Sequence, residues 1–244
     1  MSQKPDPHIS AEVKINLTIL VLGAMVMILN ETALSVALPT IMADFGIPAT
    51  SAQWLLTGFL LTMGVVIPTT GFLMDKFTTR QIFLAASGVF LAGTVLAALA
   101  PAFGVLLVGR VFQAAGTALM IPTLMTVAMT LVPPQRRGSV MGIISVVISV
   151  APALGPTVGG FVLSMSSWHV IFWTMAPLLG LICAAGYFRL VNVGDKRDTP
   201  LDFPSVVLSV FAFGGLVYAV SSLENMLEGD GLVDIVVLLS LIHI

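Results

Sequence analysis

Long apolar stretches separated by short polar clusters run along almost the whole chain, and this pattern sets its architecture before any single residue is considered. A bilayer core about 30 Å thick takes about 20 helical residues at 1.5 Å each. Seven charge-poor runs of that scale, each bounded by turn residues, predict membrane helices over 15–38, 51–73, 81–100, 103–131, 138–163, 168–190 and 203–223. A last apolar run over 232–244 is too short to cross, so the chain is expected to end inside an eighth helix and to be a fragment of a longer protein. Its final residues, Leu239 to Ile244, resemble a translated sequencing adapter and carry no functional weight. The expected class is therefore all-α, a polytopic membrane helix bundle. Its expected parts are a polar tail over 1–14, a six-helix bundle over 15–190, a loop over 191–202, and a seventh helix with a truncated eighth over 203–244.

Composition sharpens this picture by exclusion. Only 9% of the residues are charged and 57% are hydrophobic, whereas a soluble protein carries about 25% charged residues to cover its surface. Ten Lys and Arg against twelve Asp and Glu give a net charge of -2 with no basic cluster, which opposes nucleic-acid binding. The lone Cys183 opposes a disulfide scaffold, and His8, His169 and His243 have no metal-ligand spacing.

The basic residues are one-sided. Lys4 and Lys14 precede the first helix, while Lys76 with Arg80, Arg136 with Arg137, and Arg189 with Lys196 and Arg197 fill alternate loops. The opposite loops hold no Lys or Arg, so the N-terminus is expected in the cytoplasm of a multi-pass cell-membrane protein. A cleaved signal peptide is the competing reading of the first helix, but its apolar run exceeds the usual 7 to 15 residues, about the limit for such a leader.

Only two acidic or basic residues fall well inside the spans: Glu31 in the first and Arg110 in the fourth. Such a residue costs about 2.5 to 3.5 kcal/mol near a helix centre, and it ordinarily faces a cavity or a partner and marks a pathway. Counted from the outer ends of the predicted helices, both lie at one level, about 10 Å inside. The bland alternative is a static buried ion pair that fixes helix register. A guanidinium favours the carboxylate form of a neighbouring acid and a dry cavity favours the neutral form, so hydration can switch a charge placed there. The first and fourth helices are also equivalent members of two successive three-helix groups, the arrangement of transporter repeats with a site between them.

The fifth span carries Gly155, Pro156, Gly159 and Gly160 within one run. Proline removes a backbone donor and glycine permits bending and close approach, so this helix reads either as a kinked packing element or as a hinge. Candidate cavity residues are Asn30, Thr32, Phe112, Gln113, Met25 and Met120, the methionines because they repack easily.

Taken together these residues resemble the major facilitator superfamily, and within it the fourteen-helix, proton-coupled multidrug exporters of the EmrB/QacA type. The run Gly155-Pro156-Thr157-Val158-Gly159-Gly160 is similar to the fifth-helix motif that marks antiporters in that family. The stretch 107–116, with Arg110 and Gln113, resembles its fourth-helix motif, and 71–80, with Gly71, Asp75 and Arg80, resembles the loop motif that helps control the conformational change. Thr78 and Thr79 replace a usual glycine and basic residue there. The run 29–39 is similar to the family's embedded acidic motif, with Asn30 at the usual aspartate and Glu31 one residue on, a rotation of about 100° around the helix.

The resemblance implies a transporter rather than an enzyme, with Glu31 and Arg110 as the proton-coupling pair and the proton itself as coupling ion, without any cofactor or metal. It also implies a small drug-like substrate, the lipid bilayer and the C-terminal half of the same transporter as partners. Proton-coupled uptake of a metabolite is the alternative within the fold, and a seven-helix receptor the alternative outside it.

Overall fold

The computed structural model describes residues 9–193 and, beyond them, Leu208, Phe211, Ala212 and Gly215. Apart from those four residues, the expected seventh and eighth helices lie outside the described residues, as does most of the tail and of the loop over 191–202.

The described chain is helical and contains six helices long and apolar enough to cross a membrane. The first, α1, runs Ala11–Phe45, then a single turn, α2 (Ala49–Ala52), leads into α3 (Trp54–Lys76). The rest are α4 (Thr79–Ala98), α5 (Phe103–Leu131), α6 (Pro134–Met165) and α7 (His169–Arg189). The expected fourth span matches α5 end for end; the others shift at their termini.

Local chemistry explains those shifts. Ser10 caps α1 by accepting from the Val13 N–H at 3.3 Å, so the helix starts before the apolar run does. At its other end α1 continues through Pro39, expected to open a loop, and stops only at Gly46, whose φ of 61° is left-handed. Asp44, on that extra turn, accepts a hydrogen bond from the buried Trp168 Nε1 at 2.9 Å and ties α1 to the start of α7. Thr78 and Gln81 form a reciprocal capping box that fixes the start of α4. Pro133 and Pro134 open α6, four residues before the expected boundary at 138.

The helices pack as α1 on α5, α6 and α7, with α5 against α3 and α4, and α4 against α7. Close approach is set by missing side chains, as expected in lipid, where packing replaces the hydrophobic drive between helices. A Cβ on Gly93 of α4 would stand 2.6 Å from the Gly109 carbonyl of α5, and one on Gly116 would stand 2.7 Å from Phe90 Cβ.

Two apolar cores result. One gathers Leu20, Met27, Phe83, Phe90, Met120 and Leu124 toward the basic end; the other gathers Leu34, Ile41, Leu55, Leu106, Trp168 and Phe172 toward the opposite end. Between them lies a layer of buried polar side chains: Asn30 on α1, Thr94 on α4, and Arg110, Gln113 and Thr117 on α5.

Candidate functional site

That polar layer is built around Arg110. Its side chain is fully buried, and its hydrogen bonds go to neutral groups. Nε donates to the Leu55 carbonyl at 3.3 Å, and Nη1 donates to Gln113 Oε1 at 2.9 Å. Gln113 Nε2 in turn donates to Thr94 Oγ1 at 2.9 Å, and Thr94 donates to the Phe90 carbonyl at 2.8 Å. The guanidinium carbon also lies 4.2 Å from the centre of the Phe59 ring, within cation–π range. Arg110 thus joins α5 to α3 directly and to α4 through Gln113. Its Nη2 is buried and, among the described residues, has no hydrogen-bond partner.

Glu31 occupies the facing side of the layer. It is half-buried and makes no hydrogen bond or ion pair among the described residues, yet Arg110 acts on it electrostatically. The two charges therefore share a neighbourhood without forming a static ion pair in this conformation. One residue away, Asn30 is completely buried, and neither its Oδ1 nor its Nδ2 has a partner among the described residues. The turn of about 100° per residue separates the two roles: the amide points into the bundle and the carboxyl to its edge.

Helix α6 meets α1 at the same level. Gly155 and Gly159 are buried against Thr32 and Ala33, so tightly that a Cβ on Gly159 would stand 2.7 Å from the Ala33 carbonyl oxygen. The Thr32 hydroxyl donates back to the Ile28 carbonyl at 3.0 Å, which keeps it inside its own helix. Pro156 is exposed and Gly160 has open space where a side chain would be. Only two of the four motif positions, then, are fixed by sterics. The helix stays continuous through Pro152 and Pro156.

Other expected site residues are placed elsewhere. Met120 is wholly buried in the apolar core, with its Cε 3.3 Å from where a Gly23 Cβ would be. Phe112 is exposed, and its Cβ flanks Gly93 on the α4 side of α5. Met25 is half-buried. In the loop motif, Gly71 and Asp75 are exposed and Asp75 has no hydrogen-bond partner among the described residues. The Arg80 guanidinium lies 4.8 Å from the centre of the Tyr187 ring, and the Arg80 backbone N–H donates to Asn192 Oδ1 at 3.2 Å. The motif's acid and base are thus unpaired with each other here. An apolar crevice of about 320 Å³ between α3, α4 and α5, lined by Leu73, Phe77, Gln81, Ile82, Ala85 and Leu119, contains none of the expected cavity residues.

Thr94 and Trp168 were not among the candidates. A threonine in an apolar run is commonplace because its hydroxyl satisfies itself on its own helix, so only the Gln113 contact distinguishes it.

Comparison with known proteins agrees with this architecture. The sequence pattern of the Major Facilitator Superfamily matches residues 20–241. The MFS-type transporter YcnB of Bacillus subtilis (strain 168) is 46% identical over 207 residues, covering 85% of this chain and 44% of that protein. The lincomycin resistance protein LmrB of the same organism is 41% identical over 212 residues, covering 87% of this chain and 44% of LmrB. The multidrug resistance protein B homolog of Mycobacterium tuberculosis (strain CDC 1551 / Oshkosh) is 31% identical over 209 residues, covering 83% of this chain and 37% of that protein. The chain therefore spans less than half the length of these relatives. Among solved structures, the human organic anion transporter MFSD10 superposes with a TM-score of 0.66 at 17% identity, over 88% of this chain and 55% of its own. The peptide transporter POT gives 0.67 at 16% identity, over 88% of this chain and 46% of its own. At such identities these two likenesses describe the fold alone.

Proposed function

The chain belongs to the Major Facilitator Superfamily, and from that premise we propose that it supplies one helix bundle of an exporter that exchanges protons for small drug-like molecules. Membership sets aside the seven-helix receptor. Drug export is supported by relatives whose names record lincomycin and multidrug resistance. In this reading the end that carries Lys76, Arg80, Arg136, Arg137 and Arg189 faces the cytoplasm.

The observation that carries the reading is the position of Glu31. It is a half-buried acid, without a hydrogen-bond partner among the described residues, one residue from the contact between α1 and the glycines of α6 and within the field of Arg110. A shift of α6 against α1 changes the surroundings of that carboxyl, and a change in its charge alters which arrangement is favoured. Alternating access is the rocking of one bundle against another around such a site. Glu31 takes a proton from outside and releases it inside, with drug leaving in exchange. One charge moving through about 100 mV yields about 2.3 kcal/mol, enough for roughly a 40-fold gradient of a neutral substrate.

The test is Glu31→Gln in the complete protein, with drug-induced proton movement followed in everted membrane vesicles. Loss of proton movement on drug addition is expected. Retained coupling removes Glu31 from this role.

A further inference from the structure

Three polar atoms in the layer between the two cores are sealed from solvent and unpaired among the described residues: Asn30 Oδ1, Asn30 Nδ2 and Arg110 Nη2. Buried polar groups are nearly always satisfied, by protein or by ordered water, because an unmet donor or acceptor forfeits its hydration. Helix register puts Asn30 at the level of the Arg110 hydrogen-bond network. Gly23 of α1 faces Met120 of α5. The α1 and α5 stretches run in opposite directions, so a step of seven residues, two turns, along each puts Asn30 opposite Gln113 on the same faces. Gln113 is the residue that holds Arg110 Nη1. The apolar residues on either side, Met27 with Met120 and Leu34 with Leu106, belong to the two separate cores that close the layer above and below.

We infer that Asn30 and Arg110 share a buried water molecule. Water fits this set: it accepts from Arg110 Nη2 and from Asn30 Nδ2 and donates to Asn30 Oδ1, whereas an anion leaves the amide oxygen unmet and a cation is repelled by the guanidinium. Asn30 has no solvent exposure within this bundle, so a second bundle cannot reach its amide without opening the first. Asn30 is thereby a positioning residue. Through the water it holds the free edge of the guanidinium toward α1, the helix that carries Glu31. This role in transport rests on the proton-exchange reading above, but the water site itself does not.

The experiment is infrared difference spectroscopy of the complete protein in lipid, in ordinary and ¹⁸O-labelled water, comparing the parent with Asn30→Leu, Asn30→Ser and Glu31→Gln. A band of an isolated, isotope-sensitive O–H group is expected in the parent, in Asn30→Ser and in Glu31→Gln, and is lost in Asn30→Leu. Proton-driven transport by Asn30→Leu is expected to fall about tenfold, the weight of one hydrogen bond to a charged group, and to recover in Asn30→Ser. If Asn30→Leu does not reach the membrane, Asn30→Val serves the same comparison. A band that persists in the apolar variant overturns the water site, and unchanged proton-driven transport overturns its positioning role. Proton-driven transport that survives in Glu31→Gln sinks the exchange reading instead, while the band still decides the site.

Discussion

Gly155 on α6 and Thr32 on α1 are in such close contact that no side chain fits between them: a Cβ on Gly155 would stand 2.7 Å from Thr32 Cβ, closer still to its hydroxyl, and 3.0 Å from the Ala33 nitrogen. This contact, one residue from Glu31, is where the glycine-rich helix and the acid-bearing helix meet.

Gly155→Ala is therefore expected to push α6 off α1, with a stability loss of about 1 to 3 kcal/mol, the usual cost of overpacking. Thr32→Gly added to it removes the two nearest obstacles and is expected to restore part of the loss, although the Ala33 backbone still crowds the site. Thermal melting of the purified protein in detergent measures both. Equal melting of Gly155→Ala and parent contradicts the contact. The control is Gly160→Ala, where the space is open and the helix propensity of alanine favours a neutral or slightly stabilising effect.

Arg110→Lys keeps the charge and is nevertheless expected to be disruptive. The guanidinium spans the Leu55 carbonyl and the Gln113 amide oxygen while resting on Phe59, a fork that a single ammonium cannot reproduce. Losing one hydrogen bond to a charged group corresponds to about 1.5 to 3 kcal/mol, read as a lower melting temperature. Drug-driven proton movement by this variant is expected to fall by at least about tenfold if the geometry as well as the charge matters.

The tie between the end of α1 and the start of α7 gives a separate stability test. Trp168→Phe removes the Nε1 donor to Asp44 while keeping most of the aromatic packing against Phe45 and Phe172. A loss of about 1 to 3 kcal/mol is expected, mostly from the hydrogen bond. Asp44→Asn keeps an acceptor oxygen and is expected to cost less than Asp44→Ala. A reversed order in melting experiments disproves the tie.

How much of this was legible beforehand differs by feature. The six crossings follow from hydropathy and length, and α5 was bounded correctly because Pro101 precedes it and Val132-Pro133 follows it. The C-terminal end of α1 was not legible because Pro39 and Asp44 look like loop residues in sequence, whereas Asp44 and Trp168, whose bond holds that turn, lie far apart in sequence and meet only on folding. Glu31 and Arg110 stood out because a charge in an apolar run is costly. Which candidates face the interior was not legible. These helices are apolar nearly all round, so periodicity gives no phase to separate the exposed Phe112 from the buried Met120. The inward turn of Asn30 likewise depends on which neighbours α1 meets.

The relay from Arg110 through Gln113 to Thr94 predicts an order of effects that simple burial does not. Gln113→Leu strips a charged group of a 2.9 Å bond and leaves Arg110 Nη1 without that partner in a fully buried site. Thr94→Val removes only a neutral link, because the hydroxyl it deletes was otherwise bonded within its own helix to Phe90. The leucine variant is accordingly expected to lose about 2 to 3 kcal/mol and the valine variant about 1 kcal/mol. Combined, they should lose less than the sum, since once Gln113 is gone the Thr94 hydroxyl has no partner on α5 to forfeit. Melting of the two single variants and the double variant measures this coupling directly. Strict additivity would mean that Gln113 does not transmit the position of α4 to Arg110, and that the polar layer is three independent contacts rather than one network.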